Sequence, residues 1–421
     1  VEIKSIVPLS LHKTNFSNEE MRPFVPHRPK ESLDSMTDAE KQIQKDTYEA
    51  IANALGSVSA IKATTYHQIL EDRLERSDYW KTHWIVYKAN SAVPEYVSYE
   101  DGDDERPLID VTAPEYDSFV WVPVEVCSPK LWWTGKKEAI ANIGSVCRRL
   151  QHGFNAVANH STEVHVHVGR HDGLFYSLKG MKKLATVLWV AEPILRGVKD
   201  PKSRNFDHTF TWSFPWRAHS RIALALQGRL PDGQTIDDLA TGPEDEFDTF
   251  LARANNARPA GSAGSESVSE EDKLRFVNEH RQALRAIWRA STHAELGRML
   301  CGTAKKHQRL GFNFNALAGD DARARASPRT VEFRFLEGCL DEGVVTGWVR
   351  VCVALANLAT DQAEDWEFYD MIALLMRLPA AWSLDAKFAA MMHELGVARD
   401  AYEPLQAIVR RNYPPCEAAD E

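Results

Sequence analysis

Four short stretches of this chain alternate apolar residues with residues that can do chemistry. Glu163, His165 and His167 alternate with Val164, Val166 and Val168. Glu332 and Arg334 alternate with Val331, Phe333 and Phe335. Glu125 sits among Val122, Val124 and Val126, and Glu2 and Lys4 flank Ile3. A strand sends successive side chains to opposite faces. Each stretch, as a strand, buries one face and offers carboxylates, imidazoles or a guanidinium on the other. Carboxylates hold hard cations, and Arg clamps phosphate through a planar fork. Imidazoles suit zinc and other transition ions, and one or two can serve a carboxylate-rich magnesium site or a phosphate. Several such strands in one sheet would make a polar, metal-capable floor, which is the architecture of an enzyme.

Each stretch also has a plainer reading. With 15 His in 421 residues, chance alone supplies roughly half a His-x-His per chain. The pair then reads as hydrogen-bonded histidines on a solvated sheet face. Glu332 and Arg334 read as an outward-facing cross-strand ion pair, and Glu125 as an exposed edge residue. Other nucleotide and hydrolase signatures fail: no GxxxxGK[ST], GxGxxG or GxSxG occurs. Any ATP would be held by metals and side chains, not by a glycine loop at a helix N-terminus.

The elements that must position these residues can be read from periodicity. Residues 5–35, rich in Pro, His and Ser, read as an irregular connection. Ser35 or Thr37 is placed to cap a helix over 38–55. Strands are expected at 84–87, 119–127, 163–168, 209–214, 312–316 and 330–336. Helical spacing covers 136–150, with Ile140, Ile143, Val146, Cys147 and Leu150 on one stripe. Helices are also expected over 178–195, 273–300 and 344–358, and through the remainder to about residue 411. Residues 227–272 are the most loop-like, and 257–272 are Ala/Gly/Ser/Glu-rich without aromatics. The reading is a mobile insertion within a single domain spanning 1–421. Strands mixed with helices, without strict βαβ alternation, indicate an α+β class.

Composition narrows the function classes. The hydrophobic content is 44% and the formal net charge −10, ample for a large core. No dense Lys/Arg stripe marks a nucleic-acid partner. No run approaches the roughly 18–20 apolar residues of a membrane span. The six cysteines are scattered and form no CxxC pair. That usage suits a reducing, cytoplasmic compartment without structural zinc or a disulfide framework. No secretory apolar stretch opens the sequence. Its first residue is Val1, not Met, so a trimmed start is expected. Oligomeric state is not legible.

Taken in order, the segments resemble the amidoligase family, a branch of the carboxylate–amine ligases that includes glutamine synthetase and γ-glutamylcysteine synthetase. That family opens with a Gly-Val-Glu-x-Glu-Phe strand, where this chain has Val1-Glu2-Ile3-Lys4. A Glu-Leu-Val-Ser-Pro-like strand corresponds to Glu125-Val126-Cys127-Ser128-Pro129. An Asn, a turn and His-Val-His-Val-Gly correspond to Asn159 and His165-Val166-His167-Val168-Gly169. An Asn-containing strand and Thr-Val-Glu-Phe-Arg correspond to Asn313, Asn315 and Thr330-Val331-Glu332-Phe333-Arg334. Each motif alone is common; the ordered set is specific and spans most of the chain.

The resemblance implies a curved antiparallel sheet of the glutamine synthetase-like catalytic type, with helices packed on its convex side. It implies ATP with Mg²⁺ or Mn²⁺, held by Glu2, Glu125, His165 and Glu332. His167 and Arg334 would be catalytic and lie near the nucleotide phosphates, with Lys4 and Asn315 also contacting nucleotide. The implied substrates are a small-molecule or peptide carboxylate and an amine, joined as an amide or isopeptide bond through an acyl phosphate. The chain departs from the pattern at Lys4, where the family has a second Glu. It departs again where Trp84-Ile85-Val86 leads to Ala89-Asn90-Ser91, since an acid is common there. Lys4 then contacts a phosphate directly, or marks a non-catalytic relative that binds a nucleotide or other small molecule. A metal hydrolase built on His165 and His167 is the remaining alternative; it requires zinc and further His or Asp ligands.

Overall fold

A computed structural model describes residues 1–10, 38–58, 61–71, 76–90, 92, 119–154, 156, 158, 162–174, 176–202, 206, 215–256, 270–303, 309–314, 317, 330–358, 360 and 364–415. The chain divides into two compact units. The first comprises Val1–His165 and Leu336–Thr346; the second comprises Val166–Phe335 and Gly347–Glu421.

In the first unit, β1 (Glu2–Ser10), β2 (Ala63–Thr65), β3 (Trp84–Lys88), β4 (Phe119–Cys127) and the start of β5 (Glu163–Gly169) lie in the order β2-β3-β4-β1-β5. β1 is antiparallel to β4 and β5, and β3 to β4. β2 runs parallel to β3. Ile3, Trp84, Val86, Val122, Val124, Val126 and Val164 are buried on one face, as the alternation requires. The helices here are α1 (Asp38–Gly56), α2 (Tyr66–Glu71), α3 (Arg76–Thr82) and α4 (Lys136–Gly153). α1 packs on β2, β3 and β4. It buries Tyr48, Ile51 and Leu55, and the Tyr48 hydroxyl donates to the Pro123 carbonyl at 3.0 Å. α4 buries the stripe of Ile143, Val146, Cys147 and Leu150.

In the second unit, the rest of β5 neighbours β7 (Thr330–Glu337), and β6 (Phe312–Asn313) pairs antiparallel with β7. Its helices include α5 (Leu178–Leu195), α6 (Trp216–His219), α7 (Arg221–Leu226), α8 (Glu246–Asn256), α9 (Glu270–Arg289) and α10 (His293–Leu300). α11 (Glu342–Asn357) begins in the first unit and continues into the second. α12 (Asp365–Arg377), α13 (Leu384–Glu394) and α14 (Arg399–Asn412) complete the chain. α5 is buried over almost its whole length, against α9, α12 and α13. Its N-cap is Ser177, whose hydroxyl accepts from the Gly180 amide at 3.1 Å. An aromatic core of Phe312, Phe333, Phe335, Trp216 and Phe314 lies beneath β6 and β7, with Trp216 stacked on Phe314 at 5.2 Å.

The α+β class holds, with three corrections. The strands are mostly, not wholly, antiparallel, because β2 follows β3's direction. In neither unit do they curl into the curved sheet expected. β1 runs on to Ser10, where the sequence reads as an irregular connection. Pro8 donates no N–H, and that masks the strand in the sequence. Within 227–272, residues Ile236–Leu239 form a 3-10 turn and α8 a helix. Arg289 pairs with Asp237 at 2.7 Å and Lys182 with Glu246 at 2.7 Å. Residues 257–269 and the strand expected at 209–214 lie outside the described residues.

Candidate active site

The register of the first unit assembles one polar face from four strands. Cys127 pairs across β1 with Glu2, and Glu2 pairs across β5 with His165. One row along, Tyr87 pairs with Glu125, and Glu125 with Lys4. The ligand atoms of Glu2, Glu125 and Cys127 all lie within 4.8 Å of one another. The Tyr87 hydroxyl donates to Glu125 Oε1 at 2.8 Å and lies 3.5 Å from Cys127 Sγ. His165 Nδ1 is 2.9 Å from Glu2 Oε2, and its Nε2 is 2.6 Å from Glu163 Oε2.

Most of this face is buried, although the Glu2 side chain is 25% exposed. Glu163 is 0% exposed and His165 2%, and Glu125 and Cys127 are buried. Burial, then the charges of Glu2 and Glu125, push the Cys127 thiol well above its usual range. Burial, then Cys127, Glu125 and Glu2, push the Tyr87 hydroxyl up. Burial penalises either sign of charge, whereas the carboxylate contributions are a negative field that favours a cation.

The second unit holds Asn313, Glu332, Arg334 and His167. Glu332 Oε1 accepts from Arg334 Nη1 at 2.5 Å, and its Oε2 accepts from Asn313 Nδ2 at 2.6 Å. His167 Nδ1 is 3.3 Å from the Thr330 hydroxyl, and Nε2 is 3.8 Å from Glu332 Oε1. Glu332 and Arg334 are buried, while the His167 side chain is 26% exposed. The Arg334–Glu332 pair therefore lies along one strand and inside the protein, not outward on its surface. The β6–β7 register places Asn313 opposite Glu332.

Of the expected ligands, Glu2 and Glu125 come together. His165 stands behind Glu2 as its holder, with both ring nitrogens turned to carboxylates. Tyr87 and Cys127 are additions. Cys127 stands two residues from Glu125, and alternation alone puts both on one face. Tyr87 needed the β3–β4 register. The Lys4 side chain, Asn159 and Asn315 lie outside the described residues.

A family model described as "Putative amidoligase enzyme" matches residues 19–233. The chain belongs to the amidoligase family. By that description its members are enzymes of the ligase class, joining a carboxylate to an amine. The matched span contains Glu125, Glu163, His165 and His167. Glu2, Asn313, Glu332 and Arg334 lie outside it, and their assignment rests on the motifs and the geometry above. Neither the curated proteins nor the solved structures contained a match. No described helix is long and apolar enough to cross a membrane.

Proposed function

We propose that this amidoligase is an ATP-dependent carboxylate–amine ligase using Mg²⁺ or Mn²⁺, on a glutamine synthetase-like catalytic sheet. The observation that carries the reading is the approach of Glu2 and Glu125, from different strands, with ligand atoms within 4.8 Å. Two carboxylates, that of Glu125 buried and that of Glu2 on a side chain 25% exposed, suit a hard divalent cation. Bound there, such an ion would neutralise charge between phosphates and an attacking carboxylate. His165 fixes the orientation of Glu2, and Tyr87 that of Glu125, as outer-layer partners do for metal ligands. In the second unit Arg334 and His167 offer donors suited to phosphate oxygens, with Glu332, itself held by Asn313, positioning the guanidinium.

In the proposed reaction, a substrate carboxylate oxygen attacks the γ-phosphorus of ATP and ADP departs, leaving an acyl phosphate. An amine then attacks the acyl carbon, inorganic phosphate departs, and the amine nitrogen gives up a proton. The acyl phosphate survives only where water is excluded, and the burial of these polar faces serves that need. A His-x-His hydrolase is less well supported, because His165 turns both nitrogens to carboxylates. The buried thiols Cys127, Cys147, Cys301 and Cys352 fit a reducing compartment, and we place the reaction in the cytoplasm.

The test is thermal unfolding with ATP plus Mg²⁺ or Mn²⁺, against ATP plus EDTA. Ligand at 100 times its Kd stabilises by about 2.7 kcal/mol, so the midpoint should rise only when the metal is present. An equal rise with EDTA would overturn metal-mediated binding. No rise with ATP plus either metal would overturn the ligase reading.

A further inference from the structure

The Glu2–Glu125 pair carries a third donor of different chemistry. Cys127 is buried, shares the face of Glu125 through strand alternation, and stands opposite Glu2 in the β1–β4 register. Donors around a single zinc-sized ion, bonded at about 2.0–2.3 Å, stand roughly 3.5 Å apart. A spread of up to 4.8 Å exceeds that by at most about 1.3 Å, which the site must close on binding an ion. Sulfur changes which ion is preferred. Magnesium takes oxygen ligands in strict octahedra and gains nothing from a thiol. Zinc, cobalt and similar ions accept mixed oxygen and sulfur donors. Tyr87 lies against both Glu125 and Cys127, and so fixes the sulfur and the carboxylate as one unit.

The geometry points to Cys127 as the residue that sets metal selectivity at this pair, so that an ion of the zinc class binds here in preference to Mg²⁺. The inference rests on the reading of Glu2 and Glu125 as metal ligands. Zinc would then compete with the ion that the ligase reaction uses.

The experiment titrates the full chain and Cys127→Ser with Co²⁺, Zn²⁺ and Mn²⁺ after chelator treatment. Circular dichroism checks that the variant folds. The wild type should show an intense near-ultraviolet sulfur-to-cobalt charge-transfer band, and the variant none. Zinc affinity should fall by at least the roughly tenfold that losing even an outer partner costs, while Mn²⁺ affinity stays within about threefold. X-ray absorption on the zinc-loaded wild type should find one sulfur at about 2.3 Å, which keeps the test decisive if the variant fails to fold. Mn²⁺ binding without a thiolate band or a zinc–sulfur distance overturns the role of Cys127 and leaves the ligase reading intact. A thiolate band without any ATP–Mg²⁺ response supports Cys127 and overturns the ligase reading. Failure to bind any of the three ions overturns both.

Discussion

Glu192→Gln tests whether one buried carboxylate sets the pH dependence of stability. Glu192 lies in α5, is 2% exposed, and accepts the backbone N–H groups of Trp216 and Arg217, the latter at 2.7 Å. It thereby caps the short helix α6 across the unit's interior. Burial pushes its pKa from 4.5 up to about 7, against the pull of those two amides and of Arg196 and Arg217. The sign follows from proton counting. Between 4.5 and about 7 the folded chain holds a proton that the unfolded chain has released, so stability falls as pH rises through that window. At about 1.4 kcal/mol per pKa unit, the loss is on the order of 3 kcal/mol. Gln stays neutral throughout and should abolish that slope. It keeps one acceptor oxygen but loses the other, costing about 1 kcal/mol at every pH. The variant should thus be less stable than wild type by about 1 kcal/mol at pH 4.5 and more stable by about 2 kcal/mol at pH 8. Urea unfolding followed by circular dichroism across that range measures both curves, and other titrating groups cancel in their difference. Parallel curves would refute the argument.

Arg334→Lys should keep the circular dichroism spectrum but lose the ATP-dependent thermal shift, because an ammonium lacks the planar fork for phosphate oxygens; an unchanged shift would make Arg334 a structural partner of Glu332 alone. Asp365 pairs with buried Lys183 at 2.6 Å and exposed Lys179 at 2.6 Å. Asp365→Asn removes a counter-charge from the buried Lys183 and should cost about 1–3 kcal/mol in denaturant unfolding, whereas Lys179→Ala should cost under about 1 kcal/mol; equal costs would refute a distinct role for the buried pair.

Periodicity located most elements, because an apolar stripe reports directly which face is buried. The limits of β4 and α5 match the apolar runs in the sequence, and β5 and β7 differ from expectation by a residue. Capping chemistry marks a break that the charged pattern hides. A helix expected over 273–300 is in fact α9 and α10, split where the Thr292 hydroxyl accepts from the Glu295 amide at 3.1 Å. That Thr-x-x-Glu spacing was present to be read. At the site, alternation placed Glu2, Glu125, Glu163 and His165 on polar faces, but it does not say what covers a face. A solvated floor and a buried one have the same sequence pattern. Nor does it give register, so the clasp of His165 between Glu2 and Glu163 was not legible. The same holds for the approach of Tyr87 to Glu125. The three-residue β2 is too short to carry a period.

The central place of β1 has a consequence for biosynthesis. β1 is made well before its neighbours β4 and β5, and Glu2 meets Cys127 and His165. A ribosome adding about 5–20 residues per second needs roughly 6–25 s to reach the first of these partners, and longer for the second. Throughout that interval an apolar strand waits with its backbone groups unmatched, which is the form that chaperones capture and that aggregates. The carboxylate pair on which the proposed chemistry depends cannot exist until that wait is over.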